Sequence, residues 1–266
     1  MLFKSFRHVL WSILFGLGVS LLPVALSAHH EVHEAQQLIE QSIRKTFDDF
    51  NKDDYMGFVD GWTDLGFLNK TLLAMHVDRP VPKDEIPVFF GAMKLGGPIQ
   101  VLNISNIRML DHMMEQATAE IDILQGNVRE RYGLRMIKRI ALDKRYKIRR
   151  DVRLAFFPDG FPVVDVKLEE YKIEFDKKRV ARDMILKIVN AGRKAHEFVL
   201  FHKMMPADWE RSVARGAREL KPGEATDVVL TGLEPGEYAM VCCMVEPDPD
   251  NKPHCDKGMR TDFTIN

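Results

Sequence analysis

The stretch from Pro235 to Met259, PGEYAMVCCMVEPDPDNKPHCDKGM, constrains the fold more than any other part of the chain. A Pro-Gly turn opens an alternating run that ends in two adjacent thiols. A loop rich in proline and aspartate follows, and His254 and Met259 close the stretch with four residues between them. Alternation predicts a strand, on which Cys242 and Cys243 face opposite sides, so one thiol can face a site while the other does not. A thiol, an imidazole and a thioether delivered together are donors that select soft transition metals over hard cations. A second imidazole has to come from elsewhere. The turn Asn190-Ala191-Gly192, with His196 entering the next apolar run, offers one.

The start of the chain speaks to compartment. Lys4 and Arg7 precede the apolar run Val9 to Ala25, and Ala25-Leu26-Ser27-Ala28 supplies small residues, so residues 1–28 read as a signal peptide. The rival reading is a retained membrane anchor, since the run is only slightly shorter than the roughly 20 residues that span a bilayer. A periplasmic or secreted protein is expected. Cleavage would leave 36 basic against 39 acidic groups, because Lys4 and Arg7 go with the leader. So even a balance gives no reason to expect nucleic-acid binding. Three cysteines in an exported chain cannot all pair within it, so at least one is free, metal-bound or intermolecular. His29, His30 and His33 follow the leader and read as a solvated polar terminus.

Beyond the leader the pattern is first helical. Leu38, Ile39, Ile43, Phe47 and Phe50 fall at helical spacing, Asp54 caps a second short helix, and Ile86 to Met93 offers a third helix or turn. After Gly97-Pro98 it changes to strands: 99–103, 117–123, 128–140 and 146–156. Helices followed by a curved antiparallel sheet resemble the NTF2-like (SnoaL-like) cone over 34–157, which implies a pocket for a small apolar ligand. Asp60, Asp64 and His76 are polar candidates there by residue type, and each reads first as a cap, turn or surface group. Eleven bases between Arg129 and Arg153 face only Glu130, Asp143 and Asp151, the pattern of alternating strands with a solvated face. Pro158-Asp159-Gly160-Phe161-Pro162 is the expected linker, residues 158–162.

From Val163 onward short strands alternate with Gly/Pro turns, the signal of an all-β sandwich. A helical insertion is expected over Met204 to Arg218. Four pieces then occur in order: Asn190 and Gly192 before His196, the turn Pro235 to Tyr238, Cys242 four residues after that tyrosine, and His254 with Gly258 and Met259 before a last strand, Arg260 to Ile265. In this order they resemble the cupredoxins, the blue-copper family, over residues 163–266. The expected fold class is therefore α+β: an NTF2-like cone followed by an all-β, Greek-key cupredoxin-like sandwich. The resemblance implies one copper ion held by His196, Cys242 and His254 with Met259 axial, single-electron transfer, and a redox partner protein. It leaves Cys243 facing away, either buried or paired with Cys255. Eleven residues separate Cys242 from His254, more than in the small electron carriers of that family, though its copper nitrite reductases use longer loops. No nucleophile-base pair or other catalytic constellation is apparent. The rival function is a metal-free binding protein with a structural sandwich, and a third is copper storage or delivery.

Overall fold

The computed structural model describes residues 30–64, 67–68, 81–94, 96–139, 142–203, 213–214, 219–245 and 252–266. The leader 1–28, His76 and most of the expected helical insertion lie outside them. Among the described residues no helix is long and apolar enough to cross a membrane.

Helix α1 covers 30–51. Its face of Ile39, Ile43, Phe47 and Phe50 is buried, each such side chain contributing roughly 1.5–3 kcal/mol when removed from water. Asp54 caps α2 (Tyr55–Asp60) by accepting from Gly57 N–H at 2.9 Å. The third helix, α3, is Ile86–Lys94, and β1 (Phe67–Leu68) pairs with β2 (Val81–Pro82). Four long strands follow: β3 (Ile99–Met109), β4 (Gln116–Gln125), β5 (Val128–Ile137) and β6 (Lys147–Leu154). Register shifts in the β3–β4 ladder mark bulges that bend it. Ala117, Ala119, Ile121, Ile123, Tyr132 and Leu134 close a core with the helices and Trp62.

The second half supplies β7 (Val163–Glu169), β8 (Lys172–Phe175), β9 (Met184–Asn190), β10 (Val199–His202), β11 (Val213–Ala214), β12 (Ala225–Leu230), β13 (Gly236–Val241) and β14 (Arg260–Ile265). One layer is the sheet β11-β10-β13-β14, and the facing layer is β12-β9-β7-β8. Val164, Val166 and Leu168 alternate inward from β7, and Met184, Leu186 and Ile188 from β9. They meet Leu200, Tyr238, Met240 and Phe263 in a second core. Val213 and Ala214 correct the expected insertion, since they pair with β10 as a strand instead of forming helix.

Pro158 to Pro162 turns as expected, with Phe161 N–H donating to Pro158 O at 3.4 Å. The halves are joined by more than this turn. Strand β12 also pairs with β5 at Val229↔Arg129 and Leu230↔Val128, so one sheet runs β3-β4-β5-β12-β9-β7-β8 through both. Asn127 donates to Thr231 O and Gly232 O (2.9 and 3.1 Å), and Arg153 to Thr226 Oγ1 (3.1 Å) and Asp227 O. Much of the basic run is neutralised by neighbours: Arg131 pairs with Asp122, Arg139 with Asp143, Arg145 and Lys147 with Asp60, and Arg153 with Glu130.

Candidate metal centre

His196, Cys242 and His254 meet at one end of the sandwich, all three fully buried. The Nδ1 atoms of both rings turn toward the thiol. Cys242 Sγ lies 3.8 Å from His196 Nδ1 and 3.4 Å from His254 Nδ1, and the two nitrogens are 3.2 Å apart. A triangle with sides of 3.2, 3.4 and 3.8 Å has its centre about 2.0 Å from each corner. First-row metals such as zinc sit about 2.0–2.1 Å from imidazole nitrogen and about 2.3 Å from thiolate sulfur, so the three donors fit one ion with little adjustment.

Each donor is placed by local structure. His196 stands three residues before β10, in an isolated bridge with Leu220, and does not open the strand itself. Its turn is tied by buried Asn190, whose amide donates to Lys194 O (2.7 Å) and Leu220 O (2.8 Å) while its oxygen accepts from Gly192 N–H (2.9 Å). Gly192 passes so close to the His196 ring that a Cβ there would stand 3.0 Å from Nε2 and 2.9 Å from Glu170 Oε1. Cys242 follows the last residue of β13, and its sulfur accepts from Glu197 N–H at 3.4 Å. The Glu197 carboxylate in turn accepts from Cys243 N–H at 2.9 Å. Met259 is fully buried in the same cluster as Cys242. Its carbonyl accepts from Cys242 N–H (3.1 Å) and its N–H donates to His254 O (2.9 Å).

The long loop returns His254 to the site through a clip. Cys243 and Cys255 form a disulfide with Cα atoms 4.8 Å apart, and Cys242 is the free cysteine. Each half-cystine immediately follows a proposed ligand. Inside the clip His254 N–H donates to Met244 O at 2.9 Å, and Val245 bridges Pro253. Above His254 stands Tyr171, at the tip of the β7–β8 hairpin, edge-to-face with ring centroids 5.4 Å apart. Lys194 and Lys257 lie over the Tyr171 ring at 5.7 and 5.3 Å. Glu170 beside it accepts from the N–H groups of Arg193 and Lys194, which holds its carboxyl below the usual range and ties the hairpin to the His196 turn.

Tyr171 and Glu197 escaped the sequence reading. Glu197 carries a signal in hindsight, since it directly follows a histidine candidate. Tyr171 carries none, because only folding brings the hairpin over residue 254. His202 takes no part: it stacks on Tyr238 at 4.4 Å, away from the cluster. In the first half Asp60 pairs with Arg145 and Lys147, while Asp64 lines a cleft of about 220 Å³ with Trp62, Thr63, Arg139, Lys147 and Arg149.

The C-terminal half is thus a two-layered β-sandwich with a buried two-imidazole, one-thiol cluster at its end. No family model matches the chain, and no curated protein matches it. Solved structures with a similar path over this region include auracyanin from the photosynthetic bacterium Roseiflexus castenholzii. It is 15% identical, with 40% of this chain and 97% of auracyanin covered and a TM-score of 0.31. Auracyanin B is 16% identical over 41% of this chain and 93% of its own, with a TM-score of 0.28. An amicyanin variant in its reduced Cu(I) form is 17% identical over 41% and 86%, with a TM-score of 0.23.

Proposed function

We propose that the chain holds one copper ion at His196 Nδ1, Cys242 Sγ and His254 Nδ1, with the Met259 thioether as weak axial donor, and that it passes single electrons. The observation that carries this reading is the buried triangle of soft and borderline donors whose centre lies about 2.0 Å from each. Copper in such a set supplies one-electron chemistry. The chain supplies the rest. Burial keeps water from the donors, the Glu197 N–H donates to the Cys242 sulfur and orients it, and the Asn190 network and the disulfide clip hold both imidazoles in place.

Reconstitution with copper, followed by metal analysis and a visible spectrum, tests the reading. One copper per chain and an intense thiolate-to-copper band are expected, both lost in Cys242→Ser. A colourless protein without bound copper would sink it. The disulfide supports an oxidising compartment, in keeping with export, and a redox partner protein follows from the function. The order of helices before a bulged antiparallel sheet supports an NTF2-like reading of 34–157.

A second reading has its own observation. The two Nδ1 atoms, 3.2 Å apart, stand at hydrogen-bond distance, so the cluster can close on itself without metal. The chain would then be a binding protein whose ligand occupies the cleft beside Trp62. Copper titration separates the two, and exchange of bound copper with a chelator separates electron transfer from storage or delivery.

A further inference from the structure

We propose that Cys243 and Cys255 are positioning residues for the metal centre, and that their disulfide makes metal binding dependent on thiol redox state. The proposal rests on the copper-site reading and deepens it. The two half-cystines occupy the positions directly after Cys242 and His254, so a single covalent bond ties together two donors that stand eleven loop residues apart in the sequence. Besides this bond the loop is held by backbone contacts, the His254 N–H to Met244 O bond, the Val245–Pro253 bridge and the Met259 links to Cys242 and His254, each of which can open reversibly where a covalent bond cannot. His196 has no such need, because the Asn190 network and the Leu220 bridge place it independently. Ligand and clip also differ in access. Cys242 and His254 are fully buried, whereas Cys243 and Cys255 are partly exposed, so a dithiol can meet the disulfide before it meets the donors.

The exchange is balanced. A dithiol gives two electrons and two protons to the Cys243–Cys255 bond, which breaks to two cysteine thiols as the reagent closes into its own disulfide. Cys242 remains the sulfur donor throughout. What changes is how often the segment carrying His254 is found closed, and the closure entropy of a loop of this length corresponds to a loss of about 10- to 100-fold in affinity.

Cobalt(II) is the probe, since its thiolate absorption reports the same donors and it needs no redox step. The full chain and Cys243→Ser/Cys255→Ser are titrated in competition with a chelator. The double variant is expected to bind about 10- to 100-fold more weakly and to release the ion faster, with the absorption bands unmoved. A metal-free readout covers the case of a variant that does not fold: wild-type apoprotein is treated briefly with dithiol and desalted, and the modification rate of Cys242 is followed by mass spectrometry. Reduction is expected to accelerate it at least tenfold at unchanged far-UV circular dichroism. Equal cobalt affinity within twofold, or a Cys242 as protected after reduction as before, overturns the proposal. Failure of the copper reading looks different: the oxidised wild type itself then shows no thiolate band.

Discussion

Replacing Asn190 with alanine tests whether the turn that aims His196 is built by one buried amide. Its side chain makes three hydrogen bonds, to Lys194 O at 2.7 Å, to Leu220 O at 2.8 Å and from Gly192 N–H at 2.9 Å. Leu220 O also accepts from His196 N–H at 3.0 Å, so truncation leaves that carbonyl partnered. Lys194 O and Gly192 N–H each lose the bond that Asn190 supplied. At about 1 kcal/mol net per bond, and more where water cannot replace the partner, the apoprotein should lose about 3 kcal/mol. For a chain of this size that lowers Tm by about 6–12 °C. Urea unfolding followed by circular dichroism measures the loss, with the slope against urea unchanged. Metal affinity, read by competition, should fall about tenfold or more, as expected when the support of a ligand is removed. Asn190→Asp should do no better than alanine. It keeps the acceptor for Gly192 but turns the two donors into an anion facing carbonyls. A loss below about 1 kcal/mol with affinity unchanged would refute the assignment of His196's placement to this amide.

Three more outcomes are expected. Arg153→Ala should cost about 2–3 kcal/mol in urea melts, because it removes the seam contacts and takes from Glu130, whose carboxyl burial already pushes above its usual range, its ion-pair partner while leaving the Tyr132 hydroxyl bond. The hydrogen bond from Arg139 holds the Asp143 carboxyl below its usual range. That stabilisation is complete above the unfolded carboxyl's pKa of about 4 and drains away as pH falls through the lower folded value. Asp143→Asn should therefore flatten the acid limb of a Tm-against-pH curve for the apoprotein. Glu197→Ala removes the acceptor for Cys243 N–H and should weaken metal binding about tenfold, whereas Glu197→Gln, whose amide oxygen can accept the same bond, should recover most of it.

The donors were legible because their surroundings are local. Asn190 and Gly192 stand within six residues of His196, and the Pro-Gly turn, the alternating strand and Cys242 form one continuous run. Helix α1 and strands β4 and β9 were legible for the same reason, since a buried face leaves a period in the sequence. The return of His254 was not, because pairing of Cys243 with Cys255 leaves no pattern that distinguishes it from either thiol remaining free. His196 enters an apolar run in the sequence, yet in the fold it makes only an isolated bridge with a segment 24 residues away. The linker is the sharpest contrast. Pro158 to Pro162 has the composition of a joint between independent bodies, yet Val229 and Leu230 reach back about a hundred residues to Arg129 and Val128. Two-residue pairing at that separation leaves no trace in either segment.

That seam has a practical consequence. Cutting the chain at 158–162 would strip β12 of one of its two neighbours, β5, and of the side chains that occupy Asp227 O, Thr231 O and Gly232 O. A fragment starting at Val163 would carry a naked sheet margin, the kind of surface that recruits another chain. Anyone isolating the half that carries the His196–Cys242–His254 cluster should therefore expect self-association unless that margin is blocked, for example by a lysine at Val229 or by keeping Asn127 to Arg153 in trans.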